Sequence, residues 1–135
     1  GGGAGAAIVL ALCEAGGDRI TLLENDQARL ATLSAKLSEH FPGVAIETTL
    51  GDPGEINLIL NASPLGMVAS DPFPVDPTLF SGAVFAADVV TEPAQTNFLR
   101  RAAELGMTCV SGSEMIARQL PLQMAHLDLP HRSLP

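Results

Sequence analysis

The chain begins with seven small residues, Gly-Gly-Gly-Ala-Gly-Ala-Ala, which run directly into the apolar stretch 8–13. Read as G-x-G-x-x-A, this segment places Gly1, Gly3 and Ala6 at the spacing of a dinucleotide-binding turn. In such a turn the first glycine permits a tight bend, the second lets the backbone approach a pyrophosphate, and the third small residue lets a helix pack close to a sheet. Flexible linkers are also rich in glycine, so the prediction depends on the pattern of the residues after position 7.

Strand-like and helix-like stretches alternate after the glycines, which is typical of an α/β fold. Pro121 predicts a kink or a restart within the last helical stretch, because proline removes a backbone donor. Strands are expected at 19–23, 44–48, 56–60, 83–90 and 107–110, a single helical turn at 77–80, and helices over 8–13 (buried), from 26 or 27 to 40, over 95–105 and from 112 onward.

This order of elements predicts a Rossmann-like, doubly wound, mainly parallel sheet with helices on both faces, forming one dinucleotide-binding domain over 1–135. In such a sheet a strand, normally a central one, precedes the glycine turn. Residue 1 already belongs to the turn, so we expect that strand to be absent from this chain, or its place to be filled by something else. Without it, two neighbouring strands would carry unpaired backbone groups.

The composition is that of an acidic globular protein, with 47% hydrophobic residues, 16% charged residues and a formal net charge of −8. This charge argues against nucleic acids and anionic membranes as partners, because both bind basic surfaces. No apolar run approaches the roughly 18 residues of a membrane span, and no signal segment is recognisable, so a cytoplasmic protein is expected. Cys13 and Cys109 lie in apolar stretches without metal-ligand spacing, which predicts buried thiols and neither a disulfide nor a metal site.

Glu24 ends the run 19–23, about 20 residues after the glycine turn. A dinucleotide-binding fold places at this point the carboxylate that accepts hydrogen bonds from the adenosine ribose. A 2′-phosphate would instead favour an arginine, and Asn25 and Asp26 supply none. Glu24 therefore favours NAD over NADP, unless it only solvates the end of a strand.

A second candidate site comes after the wholly apolar run 56–60, where residues 61–67 read Asn-Ala-Ser-Pro-Leu-Gly-Met. Polar and small residues directly after a buried parallel strand lie in the crevice where open α/β sheets bind ligands. Pro64 and Gly66 favour a turn that directs backbone groups outward. The alternative is that residues 61–67 are an ordinary strand-to-loop connection without a binding role.

Asp88 lies near the end of the apolar run 83–90. A carboxylate inside such a run is costly unless it is hydrogen-bonded, so Asp88 is either an anchor for neighbouring groups or a ligand-binding group. His40, at the end of a helical pattern, is most simply a surface residue that interacts with the helix C-terminus.

Several of these stretches together resemble the cofactor-binding domain of the shikimate dehydrogenase family, which includes the quinate/shikimate dehydrogenases. Residues 1–6 resemble its glycine motif, and 61–67 look like its Asn-Ala-Thr/Ser-Pro-Leu-Gly-Met loop. Residues 88–96 are similar to its Asp-x-Val-Tyr-x-Pro-x-x-Thr segment, and Gly112, Met115 and Gln119 resemble its closing Gly-x-x-Met-x-x-x-Gln pattern. The resemblance covers nearly the whole chain, in the right order and at the right spacing.

The resemblance implies an NAD(P)-dependent oxidoreductase that interconverts 3-dehydroshikimate and shikimate, or a quinate analogue, in the pathway to aromatic amino acids. The glycine segment would line the pyrophosphate, Glu24 and Asn25 the adenosine ribose, and the loop 61–67 the nicotinamide side of NAD or, alternatively, NADP. The implied cofactor-binding residues are Gly1, Gly2, Gly3, Ala4, Gly5, Ala6, Glu24, Asn25, Asn61, Ala62, Ser63, Met67, Val89, Gly112 and Met115, and the implied substrate-binding residues are Gln119 and Thr91.

The chain departs from the family pattern in three respects. Thr91 stands where the family has a tyrosine near the substrate, and Glu114 stands where a glycine commonly approaches the nicotinamide. The family's proton-transferring lysine and its partner aspartate lie in an N-terminal substrate domain that no stretch here resembles, and Lys36 lies on a surface helix pattern. We therefore expect no catalytic residue in this chain, weak binding of NAD(H) and no turnover by the chain alone.

Other interpretations of the sequence remain open. A non-catalytic dinucleotide-binding module is the main alternative to an enzyme that shares a hydroxy-acid substrate with an absent domain. Another Rossmann dehydrogenase, such as one acting on folates, would explain the glycine turn and Glu24 but not the loop 61–67. A homodimer is one oligomeric state that the sequence leaves open.

Overall fold

A computed structural model describes the backbone of residues 3–126 and the side chains as far as Gln119. Helices and strands alternate along this part of the chain, as the sequence predicts. The elements are α1 (Gly3–Glu14), β1 (Arg19–Thr21), α2 (Gln27–His40), β2 (Ala45–Glu47), β3 (Leu58–Asn61), β4 (Phe85–Asp88), α3 (Asn97–Glu104), β5 (Thr108–Val110) and α4 (Gly112–His126), with short 3-10 helices at Pro53–Glu55 and Pro77–Leu79.

The chain divides into two compact units, of which the first is Gly1–Pro53. In this unit β1 pairs in parallel with β2. Asp26 caps α2 by accepting a hydrogen bond from the Arg29 backbone N–H at 3.0 Å, and the helix buries Leu30 and Leu37. The apolar core of the unit consists of Cys13, Leu22, Leu30 and Leu37.

The second unit, Gly54–Pro135, contains a parallel three-stranded sheet in the order β3-β4-β5. Thr96 caps α3, and the helix packs its apolar face, including the nearly inaccessible Phe98, against the sheet. The core of this unit consists of Ile59, Phe80, Ala86, Phe98, Leu99, Ala102 and Met107. Because the three strands are parallel, their carboxyl ends all lie at one edge of the sheet.

The predicted fold class is confirmed, since parallel strands alternate with helices in a Rossmann-like order. The strands nevertheless form two sheets instead of the single sheet that the sequence predicts. No strand precedes α1 within residues 3–126.

The structure bears on two helix predictions. The stretch 8–13 is helical, but the prediction that it is buried is wrong: α1 buries only Gly5 and Cys13, and Leu10 is 43% exposed. This helix is apolar around its whole circumference, and only one side of it packs. Helix α4 continues through Pro121 to His126 without a restart.

Both cysteines are free, with Cys13 buried and Cys109 half-buried. Burial raises the pKa of both thiols, and the nearby carboxylate of Glu114 raises the pKa of Cys109 further. Neither thiol therefore has the lowered pKa of a reactive cysteine.

Candidate functional site

The predicted pyrophosphate site lies at the start of α1. Gly3, Ala4, Gly5 and Ala6 form the first helical turn, and Gly1 and Gly2 lie outside the described residues. The first N–H groups of an α-helix have no partner within the helix and carry partial positive charge, which suits a phosphate. A Cβ added to Gly3 would meet none of the described residues within 4 Å, so packing against them does not require glycine at this position.

The predicted ribose site follows β1. One carboxylate oxygen of half-buried Glu24 accepts a hydrogen bond from the Asp26 N–H at 3.1 Å, and the other lies 3.7 Å from the Arg29 guanidinium. The same guanidinium lies 3.9 Å from the Asp26 carboxylate. Asn25, which separates Glu24 from Asp26 in the sequence, is exposed. The structure thus adds Arg29, which sequence reasoning missed because it considered only the two residues after Glu24.

In the second unit, predicted site residues from three strands meet at the carboxyl edge of the sheet. The Val89 N–H, just after β4, donates to the Asn61 carbonyl at the end of β3 at 3.0 Å. Gly112, just after β5, packs so closely that an added Cβ would lie 2.4 Å from the Val89 carbonyl oxygen. This edge is where open α/β sheets bind ligands.

The side chain of Asn61 is buried and fully occupied by partners inside the chain. Its amide nitrogen donates to the Leu65 carbonyl at 2.8 Å and to the Asp88 carboxylate at 3.0 Å. Its amide oxygen accepts from the Ser63 N–H at 3.0 Å and from the Ser63 hydroxyl at 2.7 Å. An asparagine amide offers two donors and two lone pairs, so no side-chain hydrogen-bonding capacity is left for a ligand.

Asp88 is completely inaccessible to solvent and acts as an anchor, which decides between the two roles that the sequence leaves open. Its carboxylate accepts from the Asn61 amide, from the Val90 N–H at 2.9 Å and from the Thr96 hydroxyl at 2.8 Å. One carboxylate therefore joins the ends of β3 and β4 to the cap of α3. Three charge-assisted hydrogen bonds satisfy a buried group that would otherwise be costly.

The loop after β3 turns back over this anchor. Gly66 has φ +104°, a conformation that disfavours any side chain, and an added Cβ would lie 3.2 Å from the Thr96 Cβ. The hydroxyl of half-buried Ser63 accepts from the Leu65 N–H at 3.2 Å, and Ala62 is also half-buried. Met67 at the tip is 60% exposed, so among the loop's predicted contacts its side chain is the one that most clearly faces solvent.

Glu114, in the first turn of α4, forms a local cap with Ser111. Its carboxylate accepts from the Ser111 N–H at 2.8 Å and from the Ser111 hydroxyl at 2.9 Å, while its own N–H donates to that hydroxyl at 3.3 Å. The bonds from the Ser111 backbone and hydroxyl hold the pKa of Glu114 below its usual value. This reciprocal capping box gives a structural reason for an acid at this position.

The remaining predicted contacts lie near these elements. Met115 is half-buried in the first turn of α4, and Gln119 is exposed one turn later. Thr91 is exposed in the segment between β4 and α3. Within the described ranges, no three His, Cys, Asp or Glu residues are grouped to hold a metal ion, and no helix has the length and hydrophobicity to cross a membrane.

Sequence comparison finds curated relatives but no matching family model. Shikimate dehydrogenase (NADP(+)) from Arthrobacter sp. (strain FB24) is 33% identical over 123 residues, which cover 87% of this chain and 42% of that protein. The chain therefore spans about two fifths of the length of the curated relatives that it matches.

Solved structures give a concordant result. The ligand-free 5-ketofructose reductase of Gluconobacter sp. strain CHM43 has a TM-score of 0.83 and 27% identity, over 99% of this chain and 50% of that one. Shikimate 5-dehydrogenase from Thermus thermophilus, in complex with NADP(H) and shikimate, has a TM-score of 0.74 and 32% identity, over 96% of this chain and 48% of that one. Quinate dehydrogenase from Corynebacterium glutamicum, in complex with NAD, has a TM-score of 0.75 and 25% identity, over 87% of this chain and 44% of that one. The resemblance predicted from the motifs is thus confirmed: this chain is related in sequence and fold to the shikimate dehydrogenases, along less than half of their length.

Proposed function

We propose that this chain is the cofactor-binding part of a shikimate dehydrogenase-like oxidoreductase and that it binds a nicotinamide dinucleotide. The observation that carries this proposal is the loop after β3, which Asn61 and Asp88 hold at the carboxyl edge of the sheet with Met67 exposed. Relatives that match this chain are named as NADP-dependent shikimate dehydrogenases. The start of α1 would bind the pyrophosphate, and the loop would border the nicotinamide.

The proposed reaction is the interconversion of 3-dehydroshikimate and shikimate, or of a quinate analogue. When bound, the dinucleotide supplies or accepts the hydride. A proton must also reach or leave the substrate oxygen, and the family's proton-transferring lysine has no counterpart here, because the single lysine, Lys36, is exposed on α2. We therefore propose that a further domain supplies the proton donor and most of the substrate site, and that Thr91 and Gln119 contribute from this chain.

The first test is binding and turnover by the purified 135-residue chain. We expect calorimetric titration to detect weak binding of NAD+ or NADP+, and we expect no shikimate oxidation with either dinucleotide. The reason is that hydride transfer needs the cofactor and the proton donor in one fixed geometry. Measurable turnover by the chain alone would contradict the proposal that a further domain supplies the proton donor. Absence of binding to both dinucleotides would contradict the proposed function.

The choice between NAD and NADP depends on the charged residues that follow β1. The carboxylates of Glu24 and Asp26 favour a free ribose over a 2′-phosphate, so we keep NAD as the first choice. NADP is the alternative, favoured by the names of the curated relatives and by Arg29, which lies 3.7 Å from Glu24. An arginine in this region can accommodate a 2′-phosphate.

Two substitutions distinguish these alternatives. If NAD is the ligand, we expect Glu24→Ala to weaken NAD+ binding about tenfold, because the ribose loses a charged acceptor. If NADP is the ligand, Arg29→Ala should weaken NADP+ binding by a similar factor and leave NAD+ binding nearly unchanged. Calorimetric titration of each variant with both dinucleotides measures this. Tighter NADP+ than NAD+ binding by the unmodified chain would contradict the first choice.

A non-catalytic dinucleotide-binding module is the second candidate. Thr91 favours it, because an exposed threonine replaces the tyrosine that the family places near the substrate. Glu114, which also departs from the family pattern, does not favour it, since the capping box explains this residue. The sequence upstream of residue 1 separates the two candidates: a domain with a lysine and an aspartate facing the crevice supports the enzyme.

A further inference from the structure

The tip of the loop after β3 is exposed, yet its backbone is held firmly. Met67 and Val68 are 60% and 58% exposed, so apolar packing contributes little to their position. One oxygen of the half-buried Asp71 carboxylate instead accepts from the Gly66 N–H at 2.9 Å and from the Val68 N–H at 3.1 Å. These two N–H groups belong to the residues before and after Met67, so a single carboxylate binds the backbone on both sides of it.

The segments beside the tip are held by independent contacts. Toward the N-terminal side, the Asn61 amide donates to the Leu65 carbonyl at 2.8 Å. Toward the C-terminal side, the Asn97 side chain donates to the Ala69 carbonyl at 2.8 Å. Between these points, the Asp71 carboxylate acts together with two backbone hydrogen bonds. The Met67 N–H donates to the Pro64 carbonyl at 3.3 Å, and the Asp71 N–H donates to the Val68 carbonyl at 3.0 Å.

The backbone of Asp71 is itself restricted, because Pro72 follows it. A residue before proline is confined largely to extended conformations. The carboxylate is thus presented from a stiff segment, and the hydrogen bonds that it accepts are charge-assisted. Such an arrangement can set the position of a contact residue without touching the ligand.

We propose that Asp71 is a positioning residue for the bound dinucleotide, acting through the backbone amides that flank Met67. This inference rests on the proposed function, because it takes Met67 as a contact of the cofactor. Asp71 belongs to none of the motifs that identify the cofactor site in the sequence. Asp71 acquires this role because the chain after Val68 turns back and brings the carboxylate to the Gly66 and Val68 N–H groups.

The chain offers a closely matched control. One oxygen of Asp76 also accepts two hydrogen bonds, from the Thr78 N–H at 3.0 Å and the Thr78 hydroxyl at 2.8 Å. Asp76 caps a short 3-10 helix and is exposed. Asp76→Ala therefore removes the same charge and the same number of bonds as Asp71→Ala without altering the loop tip.

The first arm of the test is amide hydrogen exchange of the ligand-free chain. We expect Asp71→Ala to speed exchange of the Gly66 and Val68 amides about tenfold, because both lose a charged acceptor. Asp71→Asn keeps a carbonyl oxygen and should restore most of the protection, whereas Asp76→Ala should leave these two amides unchanged. Unchanged exchange at Gly66 and Val68 in Asp71→Ala would overturn the inference.

The second arm is calorimetric titration with whichever of NAD+ and NADP+ the unmodified chain binds more tightly. We expect affinity to fall about three- to tenfold in Asp71→Ala and to stay within about twofold in Asp71→Asn and Asp76→Ala. Thermal unfolding confirms that each variant is folded at the titration temperature. Faster exchange with unchanged or tighter binding would overturn the positioning role while leaving the proposed function intact. If the unmodified chain binds neither dinucleotide, the proposed function fails, and the exchange result alone decides whether Asp71 holds the loop.

Discussion

Replacing Asp88 with alanine is expected to lower the free energy of unfolding by about 3 kcal/mol. The carboxylate is completely buried, and its removal leaves the Asn61 amide, the Val90 N–H and the Thr96 hydroxyl without their acceptor. Unpaired buried donors bear the full cost of lost hydration. Urea unfolding followed by far-UV circular dichroism measures the effect, since the chain has no Trp or Tyr for fluorescence.

Two further variants make this prediction specific to the hydrogen bonds of Asp88. Asp88→Asn keeps one acceptor oxygen for Asn61 and Val90, so it should cost less than Asp88→Ala. Asp18→Ala makes the same charge change at an exposed position of the first unit and should stay within about 0.5 kcal/mol of the unmodified chain. A loss in Asp88→Ala no larger than that in Asp18→Ala would contradict the anchoring role.

Replacing Gly112 with alanine is expected to cost roughly 2 to 3 kcal/mol of stability and to weaken dinucleotide binding. An added Cβ would lie 2.4 Å from the Val89 carbonyl oxygen and 2.6 Å from that of Val90. Both are backbone atoms that follow β4, so the clash cannot be relieved by rotating a side chain. The start of α4 must then move away from the carboxyl edge of the sheet.

Gly43→Ala is the matched control for this glycine, because a Cβ at position 43 would meet nothing within 4 Å. It should leave stability unchanged or raise it slightly by restricting the unfolded chain. The same urea unfolding and calorimetric titration apply to both variants. Equal stability of Gly112→Ala and Gly43→Ala would show that the sheet edge tolerates a displaced α4.

Most of the fold follows from local sequence patterns. Apolar runs between turn residues predict the strands, and the 83–90 run contains β4 at Phe85–Asp88, trimmed to the length over which it pairs with β3 and β5. Helix α2 could be predicted to begin at Gln27 because Asp26 is a favourable cap. The division of the strands into two sheets could not be predicted from these local patterns, because they do not specify which strands pair.

The candidate site is less predictable, because much of it depends on contacts between distant residues. The motif locates Asn61 but not all of the bonds that occupy its amide, since one of them needs Asp88, 27 residues later. Asp71 carries no local signature, since its partners depend on how the loop folds back. Glu114 is different: Ser111 three residues earlier forms a recognisable capping-box pattern, so sequence reasoning had the means to explain it.

Because the Asn61 amide is occupied inside the chain, the Asn-Ala-Ser-Pro-Leu-Gly-Met segment is not by itself a sign that a chain uses a cofactor. Asn61, Ser63 and Gly66 each satisfy a requirement inside the chain: an amide between Asp88 and Leu65, a hydroxyl for the turn, and a residue that accepts positive φ. A relative that had stopped using a cofactor would still lose stability if these residues were replaced. The presence of these three residues is therefore explained by structure alone, and the exposed position 67 is the more direct indicator of ligand use.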